Sequence, residues 1–313
     1  MTLTGSSFWY DWEVILMTWL QRILPSAVIQ IISQFSLFGE EVFLIALLGF
    51  LYWTYDKQLA RKAGICILAA CIWNPMLKNI AVRRRPYMDH EGIQLHRLIK
   101  KNADPMDVVS QGYSFPSGHS TVSSSVFSSL AYYSRHRVVT ILSFVIPLLV
   151  GVSRVVVGAH YPTDVIAGLA LGYGSVLLVA YMQETIKDRR IFLAILTVSF
   201  LPGFFYCHSE DFFTIAGIFF GFLFADPLEE KYIRFEMTRN PVNIAIRILG
   251  GAAAFYLLNA ILKMPFSYAF LHDGSTLSLL VRFLRYFLIS LFDFVVYPLS
   301  FRYLDRLTAE QHG

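Results

Sequence analysis

The sequence predicts an all-α fold, a polytopic transmembrane helical bundle of about nine spans, and three observations predict it. Hydrophobic residues make up 56% of the 313 residues and charged residues only 15%, whereas soluble domains carry about 25% charged residues. Mean hydropathy is +0.53. Apolar stretches close to the ~20 residues that a spanning helix needs recur from end to end.

In chain order the candidate spans run 39–56, 58–82, 119–134, 137–157, 162–183, 190–207, 211–226, 242–262 and 283–303. Before them, Trp9, Trp12 and Trp19 with Gln21 and Arg22 suggest an amphipathic helix at the membrane interface. Residues 25–37 read either as a re-entrant segment or as the rest of a tenth span. This gives one membrane domain in three parts: an N-terminal interfacial or re-entrant segment (1–38), a six-helix core (39–189) with an outer loop at 87–114, and additional C-terminal helices (190–313). Residues 1–7 lack the basic region of a cleaved signal, so insertion is expected to rest on the first span. Cys66, Cys71 and Cys207 lie in apolar segments without metal-ligand spacing and read as packing residues.

Orientation follows from the loops. Lys57, Arg61 and Lys62, then Arg135 and Arg137, then Lys187, Arg189 and Arg190, then Lys231, Arg234 and Arg239 fall on alternate loops, which the positive-inside rule makes cytoplasmic. The loop 83–117 breaks the pattern, placing Arg83, Arg84, Arg85, Arg97, Lys100 and Lys101 on the outer side. The net charge is only +4. No solvated basic face can be built for nucleic acid, so none is expected as a partner.

Three polar islands interrupt the apolar background: Lys78 to Pro86, Ser114 to His119, and Ser153-Arg154 with His160 to Asp164. One complete hairpin, turning at Arg135-His136-Arg137, separates the second from the third, so all three reach the same membrane face. A helix running to Arg85 would put Lys78 and Arg85 on one side. The residue types suit a phosphoester, whose hydrolysis spreads charge over three equatorial oxygens. Lys78, Arg85 and Arg154 supply cations. Ser117 and Gly118 open a helix, where amides and a hydroxyl face an anion. Asp164, four residues after His160, can take a proton from one imidazole nitrogen and leave the other lone pair facing phosphorus. His160 is therefore the candidate nucleophile. His119 is the candidate acid for the leaving alkoxide and then the base for water, and the two histidines need pKa values pushed apart. No Asp/Glu cluster suggests Mg²⁺, so neither metal nor cofactor is expected.

These residues resemble the type 2 phosphatidic acid phosphatase superfamily, whose pattern is K-x6-R-P, P-S-G-H and S-R-x5-H-x3-D. They read here Lys78…Arg85-Pro86, Pro116-Ser117-Gly118-His119 and Ser153-Arg154…His160…Asp164, matching at every position over about a quarter of the chain. The resemblance implies a helical membrane core and metal-independent phosphatase activity at a site facing away from the cytosol, and it agrees with the reading of His160 as a nucleophile that forms a phosphohistidine. Its members act on phosphatidylglycerol phosphate, undecaprenyl pyrophosphate, sphingosine 1-phosphate or glucose 6-phosphate, and include soluble haloperoxidases. Many bacterial members stop after six spans. The extra spans from 190 onward depart from them and come closer to the nine-span members.

Membrane lipids and a phosphorylated lipid substrate are the expected partners, and a bacterial plasma membrane the expected location, with the endoplasmic reticulum as the alternative. A sugar phosphatase, a lipid phosphotransferase, and a transporter or scramblase stand as alternatives of function. Residues 93–101 are expected to form a short surface helix over the site, basic toward a headgroup or merely structural. Asp293, inside the last span, is a functional candidate as an intramembrane acid, with a polar contact other than Arg282 or Arg285.

Overall fold

The computed structural model describes residues 5–97 and 104–310, and every regular element among them is a helix. Six helices are long and apolar enough to cross a membrane, or seven if a bent N-terminal pair counts as one span. The chain is thus an integral membrane protein with an all-α fold. Three expected spans take shorter or broken forms. Residues 39–56 divide into the helix Glu41–Phe50 and a π-helical turn Leu51–Tyr55. Residues 119–134 lie in a 17-residue helix rich in serine, and 283–303 break into α, π and 3-10 turns.

The chain forms two compact units, residues 1–44 with 69–207, and residues 45–68 with 208–313. They divide the chain elsewhere than the sequence boundaries at 38 and 189.

The first unit opens with helix α1 (Asp11–Ile23) and helix α2 (Ser26–Gln34), the latter continued by a 3-10 turn to Gly39. The chain bends by 114° between them. Pro25 explains the break: it disfavours helix at Leu24, which is extended, and itself sits at the start of α2. Helix α3 (Lys57–Ala81) ends four residues before Arg85, which corrects the expected continuous helix. Val82 takes a left-handed conformation (φ 46°). The Ser6 amide donates to the Val82 carbonyl (2.8 Å) and the Arg84 amide to the Ser6 carbonyl (3.0 Å), so the chain leaves the helix to pair with the N-terminal segment.

Helices α4 (Gly118–Ser134), α5 (Arg137–Val156) and α6 (Pro162–Thr185) carry the second and third islands. The α4–α6 contact is close because α6 has glycine where it meets α4. A Cβ built at Gly168 would lie 2.5 Å from the Ser117 carbonyl, and one at Gly172 would overlap Ser124 Oγ. The buried serines of α4 return their hydroxyls to their own helix, as Ser124 does to the Ser120 carbonyl (2.7 Å) and Ser129 to Val126 (2.9 Å). They therefore act as small apolar-compatible residues in a tight helix pair.

In the second unit, Glu229 accepts from Lys57 (2.7 Å) and Arg61 (2.8 Å), while buried Arg247 donates to Asp305 and to the Trp53 carbonyl (each 2.8 Å). Asp293 is 6% exposed, and its Oδ1 has no hydrogen-bond partner among the described residues. Arg282 pairs with Glu210 (2.9 Å) and Arg285 with Asn259 (2.6 Å).

The expected surface helix does not form over 93–97, and 98–101 lie outside the described residues. Part of the outward basic cluster is matched internally. Arg84 pairs with Asp89 (2.8 Å) and Arg97 with Glu40 (2.5 Å).

Candidate active site

All eight residues singled out for chemistry lie in the first unit. Ser117 is the N-cap of α4, its Oγ accepting from the Ser120 amide (3.4 Å) and hydroxyl (3.0 Å). The Ser117 amide is engaged differently from expectation: it donates to the Asp164 carbonyl (2.9 Å) and ties α4 to the start of α6. The first-turn amides that lack an intrahelical acceptor are then those of Gly118 and His119. A Cβ at Gly118 would lie 3.8 Å from Lys78 Nζ, which brings the lysine close to this helix start.

Arg154, in the last turn of α5, is 2% exposed. Its Nη1 lies 3.2 Å from His119 Nε2. Its Nε and Nη2 are buried with no hydrogen-bond partner among the described residues. A guanidinium can only donate, so His119 Nε2 is an acceptor in this arrangement. A buried cation with two unanswered donors beside a helix start can answer an anion.

His160 sits in the tight turn between α5 and α6, with its amide donating to the Arg154 carbonyl (3.2 Å). Gly158, at φ 79°, makes the reversal possible, and a Cβ there would meet the Gln94 carbonyl. The imidazole Nε2 lies 3.2 Å from Arg85 Nη1 and Nδ1 lies 3.3 Å from Ser114 Oγ. Because Arg85 only donates, Nε2 carries the lone pair and the proton belongs on Nδ1. Asp164 does not take that proton directly, since its Oδ2 is 3.7 Å from Nδ1. Ser114 stands between them and donates to Asp164 Oδ2 at 2.5 Å. The spacing from His160 to Asp164 suggested a direct pair; the capping role of Asp164, whose Oδ2 also accepts from the Tyr161 amide (2.8 Å), turns the carboxylate toward the helix start instead.

Arg85 is held by backbone carbonyls: Nε donates to Gly112 (2.9 Å), Nη2 to Gln111 (2.7 Å) and Nη1 to Ala159 (3.1 Å). It therefore presents a fixed charge to the histidine rather than an open fork. Burial holds the His160 pKa well below the ordinary imidazole value of 6.5, and the charges of Arg85, Lys78 and Arg154 lower it further. The lone pair thus stays available in acid. In protein carrying [15N]histidine, the His160 ring is expected to remain neutral as pH falls below 6.5, with a titration midpoint under that value. A midpoint at or above it would contradict the charge arrangement.

Three residues outside the expected set touch this centre. Ser114 is the hydroxyl bridge. Arg83, fully buried, donates to Asp164 Oδ1 (2.7 Å), and Glu13, also fully buried, accepts from Arg83 (2.9 Å). Ser114 lies two residues before the Pro116 motif and Arg83 inside the Lys78 to Arg85 interval, but Glu13 lies in a stretch with no matching spacing. Its one sequence signal is its place four residues before Met17 on the buried face of α1.

With this geometry in view, comparisons place the chain among known proteins. The PAP2 superfamily model matches residues 59–188, and the model of the PAP2 superfamily phosphatase transmembrane extension matches 213–310. The chain is 41% identical over 87 residues to phosphatidylglycerophosphatase B of Bacillus subtilis, covering 25% of this chain and 43% of that relative. It thus spans less than half the length of that relative. It is 31% identical over 173 residues to a lipid A 1-phosphatase of Rhizobium etli, covering 50% of this chain and 72% of the relative. The crystal structure of a transmembrane PAP2-type phosphatidylglycerolphosphate phosphatase from Bacillus subtilis is 25% identical, with a TM-score of 0.44 over 57% of this chain and 88% of that one.

Proposed function

The chain belongs to the PAP2 superfamily, and on that premise we propose that it is an integral membrane phosphatase acting on a lipid phosphate monoester or pyrophosphate. The observation that carries this reading is Arg154, buried beside His119 with two donors unpartnered among the described residues. A phosphoryl group answers those donors, and the Gly118 and His119 amides with Lys78 complete its cradle.

The reaction runs in two steps. His160 Nε2 attacks phosphorus, the bond to the leaving oxygen breaks, and His119 gives that oxygen a proton. As the phosphoryl oxygens take over the donors of Arg154, His119 Nε2 is released from the guanidinium and can carry this proton. The His160 Nδ1 proton stays in place, held toward Ser114 and Asp164. Water then attacks the phosphohistidine, His119 takes its proton, and the P–N bond breaks to give inorganic phosphate and the original imidazole. The fixed cations answer the charge on the equatorial oxygens, so the proposed mechanism asks for no metal. Basic alternate loops support a site on the non-cytosolic face, and the bacterial sources of the relatives favour a bacterial plasma membrane.

Lipid substrate is favoured by the site's setting in a membrane domain and by the lipids named for both relatives. Purified protein in detergent with EDTA is expected to release phosphate from phosphatidic acid, sphingosine 1-phosphate or undecaprenyl pyrophosphate faster than from glucose 6-phosphate. Faster release from the sugar phosphate would overturn the lipid assignment, and dependence on added metal the proposed mechanism.

A further inference from the structure

Glu13 is a carboxylate with no surface and four donors. Its Oε1 accepts from the Thr163 amide (3.0 Å) and hydroxyl (2.6 Å), and its Oε2 from the Tyr10 amide (3.0 Å) and Arg83 Nη2 (2.9 Å). Arg83 continues the line. Its Nη1 donates to Asp164 Oδ1 (2.7 Å) and Thr163 Oγ1 (2.8 Å), its Nε to the Phe8 carbonyl (2.8 Å), and its guanidinium is clamped between the rings of Phe8 and Tyr161. Beyond Asp164 come Ser114 and the Nδ1 side of His160.

The charge count of this cluster matters more than any one pair. Arg83 alone would cancel Asp164 and leave His160 facing a neutral ion pair. With Glu13 added, two carboxylates share one cation, and the cluster keeps one net negative charge in a buried setting where its field is weakly screened. Stability alone does not call for this arrangement, because desolvating three charges costs as much as their attraction returns, and apolar residues pack as well. Phosphoryl transfer does call for it. When Nε2 bonds to phosphorus while Nδ1 keeps its proton, the ring becomes cationic and needs a nearby negative charge.

We propose that Glu13 and Arg83 are positioning residues for the reaction: Glu13 fixes Arg83, Arg83 holds Asp164 charged and aimed at Ser114, and the net negative charge that Glu13 leaves on the cluster keeps the Nδ1 proton of His160 in place and stabilises the cationic phosphohistidine. This rests on the phosphohistidine reading above. It also gives α1 a role beyond its place in the fold, since the helix that exposes Trp12, Ile15 and Trp19 on one face supplies the site from its other face.

The test is Glu13→Gln in purified full-length protein. The kcat should fall about 10- to 100-fold, the scale typical for partners one shell behind the reacting group, with KM little changed. The His160 titration followed through [15N]histidine should move to lower pH, because Arg83 is no longer balanced. A merely structural Glu13 would instead lower the melting temperature while the folded fraction kept its kcat and its His160 titration, and that result overturns the proposal. If Glu13→Gln does not fold, Glu13→Asp, which keeps the charge, should retain the wild-type His160 titration and most of kcat; a shifted titration or a loss as deep as that predicted for Gln also overturns it. Wild-type protein that releases no phosphate and forms no acid-labile phosphoprotein would defeat the functional reading itself, whereas an active wild type with an unaffected Glu13→Gln defeats only this inference.

Discussion

His160→Ala is expected to abolish phosphate release, lowering kcat by ~10⁴-fold or more, as removal of a nucleophile acting with a paired acid–base group does. That factor is about 5.5 kcal/mol of transition-state stabilisation. The reason is positional. Nε2 is the unprotonated imidazole nitrogen, because its neighbour Arg85 Nη1 at 3.2 Å can only donate to it, while Nδ1 is held on the opposite edge by Ser114. The turn and the start of α6 are held by bonds that do not involve the ring, such as the Ala159 amide to the Arg154 carbonyl and the Ser117 amide of α4 to the Asp164 carbonyl. The variant should therefore remain folded by thermal unfolding, and should no longer trap phosphate from labelled substrate. Release at the wild-type rate from folded His160→Ala would sink the mechanism.

Arg154→Met should lower kcat/KM about 10²- to 10³-fold, the range seen when one preorganised donor of an oxyanion site is lost, while thermal stability stays level or rises. The two halves have one cause. The Arg154 guanidinium is 2% exposed, with Nε and Nη2 unanswered among the described residues, so the folded protein bears the desolvation of a charge that only a bound phosphoryl group compensates. A methionine of similar length removes that cost together with the function. Arg154→Lys should fall between the two, keeping charge but losing the planar fork. A variant that loses stability and keeps activity would show the residue to be a packing element.

The site was legible in sequence where its residues act through helix ends. Ser117-Gly118-His119 opens α4, Arg154 closes α5 and Asp164 lies in the first turn of α6. A motif at a helix end points its groups at a predictable membrane face, which is why three islands could be assigned to one side. What was not legible was the bonding within that set. Arg85 read as a cation for phosphate, yet its donors meet carbonyls of Gln111, Gly112 and Ala159. Asp164 read as the direct partner of His160, yet Ser114 lies between them. Arg83 read as a misplaced outer charge, and it is buried under two carboxylates.

Hydropathy by itself determined that this chain lives in a membrane as helices, and spacing picked out Lys78, His119, Arg154, His160 and Asp164 as one candidate set. These are properties of short windows, in which 20 apolar residues or a fixed interval of polar ones suffice to decide the outcome. Only the tertiary structure decided which of its charges meet. The contacts from Glu13 to Arg83 and Thr163 join residues 70 and 150 apart in the chain. They exist because α1 turns at Pro25, the chain leaves α3 at Val82, and glycines let α4 and α6 close on one another. Each is a packing outcome, and no local interval in the sequence encodes it.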